Sequence, residues 1–271
     1  LEIFLLKLIS LPGIMMIFDK FMIKKKKISV NFKKKSKKII SDQILKNQVK
    51  ILIERVNIAA QAMDKDFERN VIDPFAYIFQ SILFKKKDHN DWKLTELSRQ
   101  IEKAFSNALG EFHQNLLCSL NGCLRPVGGV DLMCENKKIV AEIKNKHNSI
   151  NSGSKAASFD KIKHELSKNN RKEFKGYFVT IIPKNPKNYE ELFITTKNRL
   201  KSEYREPDNN ILSINAESFY EKITGKKDVL KSIYQRLPEI FLSIDKNKYK
   251  NIGKINKEKF FNYYLFNALK D

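Results

Sequence analysis

The fold is decided by residues 127–144, which read VGGVDLMCENKKIVAEIK. Two apolar, β-branched runs, Val127–Cys134 and Lys138–Lys144, flank the polar residues Glu135–Lys137. Runs of this kind, separated by a short polar turn, are typical of a β-hairpin. The stretch therefore predicts two antiparallel strands of a buried sheet.

Charged side chains occupy alternate positions of the second strand. Because successive side chains of a strand point to opposite faces, Glu142 and Lys144 share one face. If Asn136-Lys137 is a two-residue turn, Asp131 lies directly opposite Glu142, with Cβ atoms about 4.5–5.5 Å apart. Two carboxylates at that distance repel each other unless a cation lies between them, and Mg²⁺ fits because it takes few carboxylates and keeps several waters. The pattern predicts a metal site suited to phosphodiester hydrolysis, in which the lysine stabilises the added negative charge.

Glu-x-Lys is common in a lysine-rich chain, and a salt-bridged surface strand is the alternative interpretation of Glu142 and Lys144. Three features favour nuclease chemistry. Gly128-Gly129 precedes the aspartate and permits a close backbone approach. The hairpin is otherwise apolar, and the polar run 145–149 follows its second strand at once.

Helical and strand patterns surround the hairpin. Apolar residues recur at three- and four-residue steps before and after it, with short β-branched runs between. A Ser/Gly/Lys-rich loop is expected directly after the hairpin. The predicted helices cover residues 41–63, 74–82, 94–120, 159–166, 216–223 and 228–244, and further strands cover 177–182 and 211–214. This order indicates an α/β fold, a mixed central β-sheet flanked by helices, and we expect one domain over residues 41–271.

The chain is strongly basic, with a formal net charge of +21. Residues 1–40 hold 11 lysines against Glu2 and Asp19. Such a charge attracts polyanions, although the lysine-rich composition of an AT-rich genome would also produce it. We expect residues 1–40 to be a poorly ordered basic extension. The alternative is a membrane anchor in Leu1–Phe18. The Pro12-Gly13 pair and the two charges within this stretch argue against an anchor.

The cysteines are Cys118, Cys123 and Cys134. Their number is odd and no Cys-x-x-Cys occurs, so we expect neither a disulfide framework nor a zinc site, and a reducing cytoplasm fits. The four histidines are scattered without metal-ligand spacing.

Asp131, followed eleven residues later by Glu142-Ile143-Lys144, resembles the PD-(D/E)xK nuclease motif. The wider chain, from about residue 41 to 245, resembles Type II restriction endonucleases of the branch that cuts GGNCC-like sites. The run EIKNKHN at 142–148 is the most specific part, and Val130 stands where the motif has proline. The other resembling segments are DPF at 73–75, GEFHQ at 110–114, GVD at 129–131, YFV at 177–179, PK at 183–184 and SFY at 218–220.

The resemblance implies a role for each charged residue. Asp131 and Glu142 would bind Mg²⁺, and Lys144 would assist the attacking water. Glu111 would join the metal site from the preceding helix, whereas by periodicity alone it is a solvated residue beside an apolar stripe. The residues that would approach the DNA are Asn145, Lys146, His147 and Asn148, with a structural hydrogen bond as the alternative role of the histidine.

Three functions are compatible with these observations. The first is a cytoplasmic restriction enzyme that acts as a homodimer on both strands of a short palindrome in double-stranded DNA, with a cognate cytosine methyltransferase as its functional partner. The second is a DNA repair or junction nuclease with the same core. The third is a non-catalytic basic DNA-binding protein, for which a basic surface would suffice. The long helical region before the hairpin and the intact Asp, Glu and Lys set favour the first.

Overall fold

The structure is a computed structural model that describes residues 39–65, 67, 71–185, 187–195 and 204–250. The predicted basic extension, residues 1–40, lies outside the described residues except for its last two. The expected domain over residues 41–271 spans two compact units: the larger contains residues up to 62 and from 103 onward, and the smaller contains 63–102. Within the described ranges, no helix has the length and apolar character needed to cross a membrane.

The described residues form helices and one six-stranded sheet. The helices are α1 (Asp42–Lys65), α2 (Pro74–Leu83), α3 (His89–Cys118), α4 (Ser152–Leu166), α5 (Ala216–Thr224) and α6 (Val229–Ile244). The strands are β1 (Cys123–Leu124), β2 (Leu132–Cys134), β3 (Ile139–Lys146), β4 (Lys175–Ile182), β5 (Glu190–Leu192) and β6 (Ile211–Asn215). Their order in the sheet is β1-β2-β3-β4-β6-β5, in which β3, β4 and β6 are parallel and the other neighbours antiparallel. The mixed sheet flanked by helices confirms the predicted fold class.

The hairpin has the predicted register but a different turn. Leu132 of β2 lies opposite Ala141 of β3, and the same register extended by one residue places Asp131 opposite Glu142. The connection is a four-residue turn, Glu135–Lys138, rather than a two-residue turn. Its last residue adopts a left-handed φ of 54°, and the N–H of that residue donates to the first carbonyl over 3.1 Å. The longer turn takes one residue from each strand, Glu135 and Lys138, which a two-residue turn would have left paired. The remaining pairs are unchanged, so each side chain stays on its predicted face.

The first strand of the hairpin is shorter than predicted. Of the predicted run Val127–Cys134, only the last three residues pair as β2. Gly128 and Gly129 have φ values of +72° and +80°, a left-handed backbone that an extended strand excludes. Val127 is fully exposed. The segment before Asp131 is therefore a loop that leads into β2.

The sheet separates two apolar clusters. On one face, Ile139, Ala141 and Ile143 of β3 belong to a cluster with α1, the end of α3, α5 and α6. On the other face, Val140 belongs to a cluster with Phe159 and Ile162 of α4. Glu142 and Lys144 share the parity of Val140, so they lie on the α4 face. The predicted alternation of faces is confirmed.

Helix α4 begins earlier than expected, because residues 152–158 are helical rather than a loop. The side chain of Asn151 caps the helix by accepting the N–H of Ser154 at 2.7 Å. The helix lies close to β4, since a Cβ atom added to Gly176 would overlap Ile162. It connects the parallel strands β3 and β4 and covers the face that carries Glu142.

The C-terminal half follows the prediction with one addition. Strand β5, with the sequence Glu-Glu-Leu, pairs antiparallel to β6 and has no alternation that would have indicated it. Asn215 caps α5 by accepting the N–H of Ser218, and Gly225, with φ of +67°, ends that helix. Helix α6 contains Pro238.

The smaller unit is built around Trp92. This residue is buried with Phe67 and Leu97. Asp73 caps α2 by accepting the N–H of Phe75 at 2.9 Å, directly before the proline at the first helical position. This cap explains why the Asp-Pro-Phe segment separates the first predicted helix from the second.

The expectation that the chain has no disulfide was wrong for one pair. Cys123 of β1 and Cys134 of β2 lie opposite each other and form a disulfide. The sequence did not reveal this pair because β1 is only two residues long and was not predicted. Cys118 is a free cysteine, and burial raises the pKa of its thiol to about 11.

Candidate active site

Glu142 lies in the middle of β3, which is flanked by β2 and β4 in the sheet. Its side chain is 1% exposed. A charged group so deeply buried needs compensating partners, because transfer of a carboxylate out of water is unfavourable. The surroundings of this one side chain therefore define the site.

Asp131 is the first of these surroundings. Its Oδ2 accepts the backbone N–H of Ile143 at 2.8 Å, which fixes the carboxylate against β3 beside Glu142. The glycine loop that precedes Asp131 approaches α4 closely, and a Cβ atom on Gly129 would come within 2.9 Å of Glu165 Oε2. The predicted close backbone approach is thus present, and its neighbour is a buried side chain of α4.

Two lysines flank the two oxygens of Glu142. The Nζ of Lys144 lies 3.2 Å from Oε2, and the Nζ of Lys161 lies 3.3 Å from Oε1. The sequence did not single out Lys161, which comes from α4. One signal was available: Ser158, Ile162 and Glu165 are buried at helical spacing, so Lys161 lies beside the buried face of the helix. The site thus draws its charged groups from the β2 loop, β3 and α4.

The pKa of the Glu142 carboxyl is raised above its usual range. Burial is the main cause, and the nearby negative charge of Asp131 adds to it. Lys144 and Lys161 act in the opposite direction without cancelling these effects. A site that raises the pKa of a buried carboxyl in this way favours any additional positive charge that reaches it.

The donor set fits one hard divalent cation. Asp131 and Glu142 both carry carboxylates, and the negative charge of Asp131 is near enough to raise the pKa of Glu142. Mg²⁺ is commonly held by one or two carboxylates plus waters. Among the residues that the structure describes, no group of three or more His, Cys, Asp and Glu side chains is placed to hold a metal. Asp131 and Glu142 would hold such a cation, with water and substrate at its other positions.

Glu111, the third predicted metal ligand, is not brought to this site. It lies on α3 and forms an ion pair with Arg55 of α1. The side chains of both are partly exposed. The pair lines a shallow groove between the two helices, together with Gln48, Ile51, Leu52, Ala108, Phe112 and Asn115.

The four predicted DNA-contacting residues continue directly from Lys144. Asn145 and Lys146 end β3, and His147 and Asn148 begin the short helical turn that follows. Asn145 is half-buried and the other three are exposed. The segment therefore presents polar and basic side chains to solvent next to the carboxylate pair.

Comparisons with known proteins show the family to which the chain belongs. Residues 38–246 match the family model described as Eco47II restriction endonuclease. The Type II restriction enzyme Eco47II of Escherichia coli is 36% identical over 203 residues, which cover 73% of this chain and 84% of that relative. The Type II restriction enzyme Sau96I of Staphylococcus aureus is 30% identical over 206 residues, covering 73% of this chain and 77% of the relative.

The matched region contains both carboxylates, both lysines and every strand of the sheet. The chain therefore belongs to the Eco47II restriction endonuclease family of Type II restriction enzymes.

Proposed function

We propose that this enzyme hydrolyses a phosphodiester bond in each strand of double-stranded DNA at a short palindromic, GGNCC-like site, with Mg²⁺ as cofactor. The observation that carries the proposal is the pairing of Asp131 and Glu142 across the β2–β3 hairpin, with Lys144 at 3.2 Å. A structural ion pair needs one carboxylate, whereas two carboxylates on one face favour a cation between them. Since Mg²⁺ lowers the pKa of a bound water and polarises a phosphoryl oxygen, it would supply the nucleophile and offset the charge that develops.

Each residue of the site then has a defined task. Asp131, fixed by the Ile143 N–H, and Glu142, fixed on a central strand, orient the ligand oxygens. The ammonium of Lys144 lies 3.2 Å from Glu142 Oε2, and it would hydrogen-bond the attacking water and the negatively charged phosphoryl oxygens. The leaving 3′ oxygen must gain a proton as its bond to phosphorus breaks, and a water would supply it.

The DNA backbone is expected to lie along the segment Asn145–Asn148. These residues follow the site without interruption, and three of them are exposed. Side chains of this type bind phosphate oxygens and position a duplex without reading its sequence.

We further propose a homodimer, because a palindrome presents the same phosphate twice about a two-fold axis and one centre attacks one strand. Helix α2 offers a surface for it. Its side chains Phe75, Ile78, Phe79 and Ile82 follow the i, i+3, i+4, i+7 spacing of a single face, and with Leu83 and Phe84 they are 53–71% exposed.

The exposed patch on α2 is large enough to support association. If a fully exposed phenylalanine presents about 200 Å², the six side chains expose roughly 700 Å² per copy. Two copies would bury roughly 1,400 Å², within the usual range of stable interfaces. The patch lies inside the region that matches the family. Sedimentation of the full chain on a GGNCC duplex in Ca²⁺ should show two copies per duplex, and Phe79→Glu should reduce this to one.

The function is tested by digestion of a plasmid of known sequence. EDTA should abolish cleavage, Mg²⁺ or Mn²⁺ should restore it, and Ca²⁺ should permit binding without efficient cutting. End mapping should place cuts in both strands at GGNCC-like sites. Full activity in EDTA would contradict the metal assignment, and single-strand nicks or structure-specific cuts would favour the repair-nuclease alternative. A neighbouring cytosine methyltransferase gene and a cytoplasmic location complete the restriction-modification proposal.

A further inference from the structure

Lys161 is the one residue of the site that comes from a helix. Its Nζ contacts Glu142 Oε1 at 3.3 Å, while Lys144 contacts Oε2 at 3.2 Å. The side chain of Lys161 is 52% exposed, whereas that of Lys144 is 30% exposed and that of Glu142 is 1% exposed. Both oxygens of the buried carboxylate thus face an ammonium group, one held on the same strand and the other at the end of a long, half-exposed side chain.

This arrangement conflicts with simultaneous metal binding. A divalent cation between Asp131 and Glu142 needs at least one free oxygen of Glu142, and it repels a nearby ammonium. Lys144 lies two residues from Glu142 on the same strand face and is the less exposed of the two lysines. Lys161 reaches in from α4 and is the more exposed partner, so it can leave without any movement of the backbone.

We propose that Lys161 is an exchangeable counter-ion. In the free enzyme its ammonium occupies the position beside Glu142 Oε1 that the cation would take, and it moves to a DNA phosphate when the duplex binds. The inference rests on the proposed function, because it takes Asp131 and Glu142 as the metal ligands. Lys161 is a positioning residue in this scheme: it holds the carboxylate ionised and in place, and it releases Oε1 to the cation only when a phosphate competes for the ammonium.

The consequence is that DNA and the cation bind cooperatively. Before DNA binds, the ion pair with Lys161 weakens cation binding. Afterwards, the phosphate holds Lys161 and the cation takes its place, so each ligand strengthens the other by the same factor. Such coupling would keep the free enzyme largely metal-free and load it on DNA.

The test measures cation affinity without catalysis. Calorimetry with Ca²⁺ on the full chain, in the absence of DNA, should show that Lys161→Met binds Ca²⁺ about threefold to tenfold more tightly than the original protein, the scale expected for a partly solvated ion pair. On a short GGNCC duplex, the original protein should gain Ca²⁺ affinity and Lys161→Met should gain less. The logarithmic salt dependence of DNA binding by Lys161→Met should be shallower by about one phosphate contact.

Lys163→Met is the matched control. It removes a lysine two residues along the same helix, which lies over the Phe159 ring at 5.7 Å rather than at Glu142, so Ca²⁺ affinity should not change. Lys161→Arg keeps the positive charge and should bind Ca²⁺ no more tightly than the original protein.

The sign of the change separates the proposal from a purely structural role. If Lys161 only held Glu142 in place, its removal would weaken Ca²⁺ binding, and either a weaker or an unchanged affinity in Lys161→Met would overturn the proposal. Glu142→Gln distinguishes the two levels of inference. If that variant binds Ca²⁺ as well as the original protein, the proposed metal site itself is wrong; if it loses binding while Lys161→Met is unchanged, only the counter-ion role is wrong.

Discussion

Glu142 and Glu165 are the two most buried glutamates among the described residues of the larger unit, and each has two cationic partners. Glu165 on α4 forms ion pairs with Lys168 and with Arg171, whose side chain is only 10% exposed. Glu142 on β3 forms ion pairs with lysines that are 30% and 52% exposed. The two glutamates are therefore equally buried, but the cationic partners of Glu142 are more exposed than Arg171, the nearly buried partner of Glu165.

The difference separates a structural carboxylate from a reactive one. A nearly buried guanidinium is always charged, has five donors in a fixed planar arrangement and holds Glu165 in a single geometry. Lysines at the edge of the solvent are strongly hydrated and rearrange easily. Glu142 also has a second carboxylate, Asp131, beside it, whereas the carboxylate of Glu165 lies below a glycine loop. The proposed metal site therefore lies at Glu142, and Glu165 is expected to have a structural role.

The strongest test of this contrast is Glu142→Gln. The substitution keeps the shape of the side chain and removes one proposed ligand charge, so cleavage should fall about a hundredfold to a thousandfold or more. The protein should remain folded, because the buried charge was unfavourable. Rates on plasmid substrate, combined with circular dichroism, would check this; a variant that cuts at the original rate would place the active site elsewhere.

The reciprocal substitution, Glu165→Gln, should affect stability rather than catalysis. It leaves the Arg171 guanidinium nearly buried without its carboxylate, and the free energy of unfolding should fall by about 3 kcal/mol. Urea unfolding would measure it. Cleavage per folded molecule should be largely retained, and a loss of activity comparable to that of Glu142→Gln would erase the distinction between the two sites.

The glycine loop between the two sites provides a smaller, paired test. Gly128 and Gly129 both have left-handed φ values, but only a Cβ on Gly129 would meet a neighbour, at 2.9 Å from Glu165. Gly128→Ala should lower the free energy of unfolding by about 1 kcal/mol and Gly129→Ala by about 2 kcal/mol. Equal losses in urea unfolding would mean that the approach to Glu165 is not tight.

The smallest expected effect is the pH dependence of stability. Because the pKa of Glu142 is raised above its usual 4.5, the folded state binds this proton more tightly than the unfolded state. The contribution of the Glu142 carboxyl to the free energy of unfolding is therefore fully present below its pKa in the unfolded state. It is lost as the pH rises through its pKa in the folded state. Metal-free unfolding between about pH 4 and about pH 7 should show Glu142→Gln gaining stability relative to the original protein as the pH rises. If the difference in free energy of unfolding between the two proteins did not vary with pH, the pKa of Glu142 would not be raised by burial.

Local patterns predicted the centre of the fold well. The alternation in β3 and the polar residues 135–137 were sufficient to place Asp131 opposite Glu142, because register and face in a hairpin depend on parity. The mixed sheet and most helices followed from periodicity. The proposed ligand pair could thus be identified from a short stretch of chain.

Features that depend on distant contacts were not predicted. Lys161 contacts Glu142 only because α4 lies across the sheet, and Cys123 meets Cys134 only because a two-residue strand pairs there. Glu111 is a similar case: its helix was predicted correctly, but its ion pair with Arg55 depends on how α1 packs. Periodicity identifies which face of a helix or strand is buried, but it does not identify the residues that this face contacts.

The register of the hairpin also has a consequence for the order of folding. Leu132 pairs with Ala141, close along the chain, whereas Ala141 pairs with Tyr177 only after the whole of α4 has been traversed. Since short loops close at a lower entropic cost and earlier than long ones, Asp131 and Glu142 should meet before Lys161 reaches them. Refolding in the absence of divalent cations should therefore accelerate with added salt, because screening weakens the repulsion between two carboxylates at a stage when no lysine of α4 is yet in place.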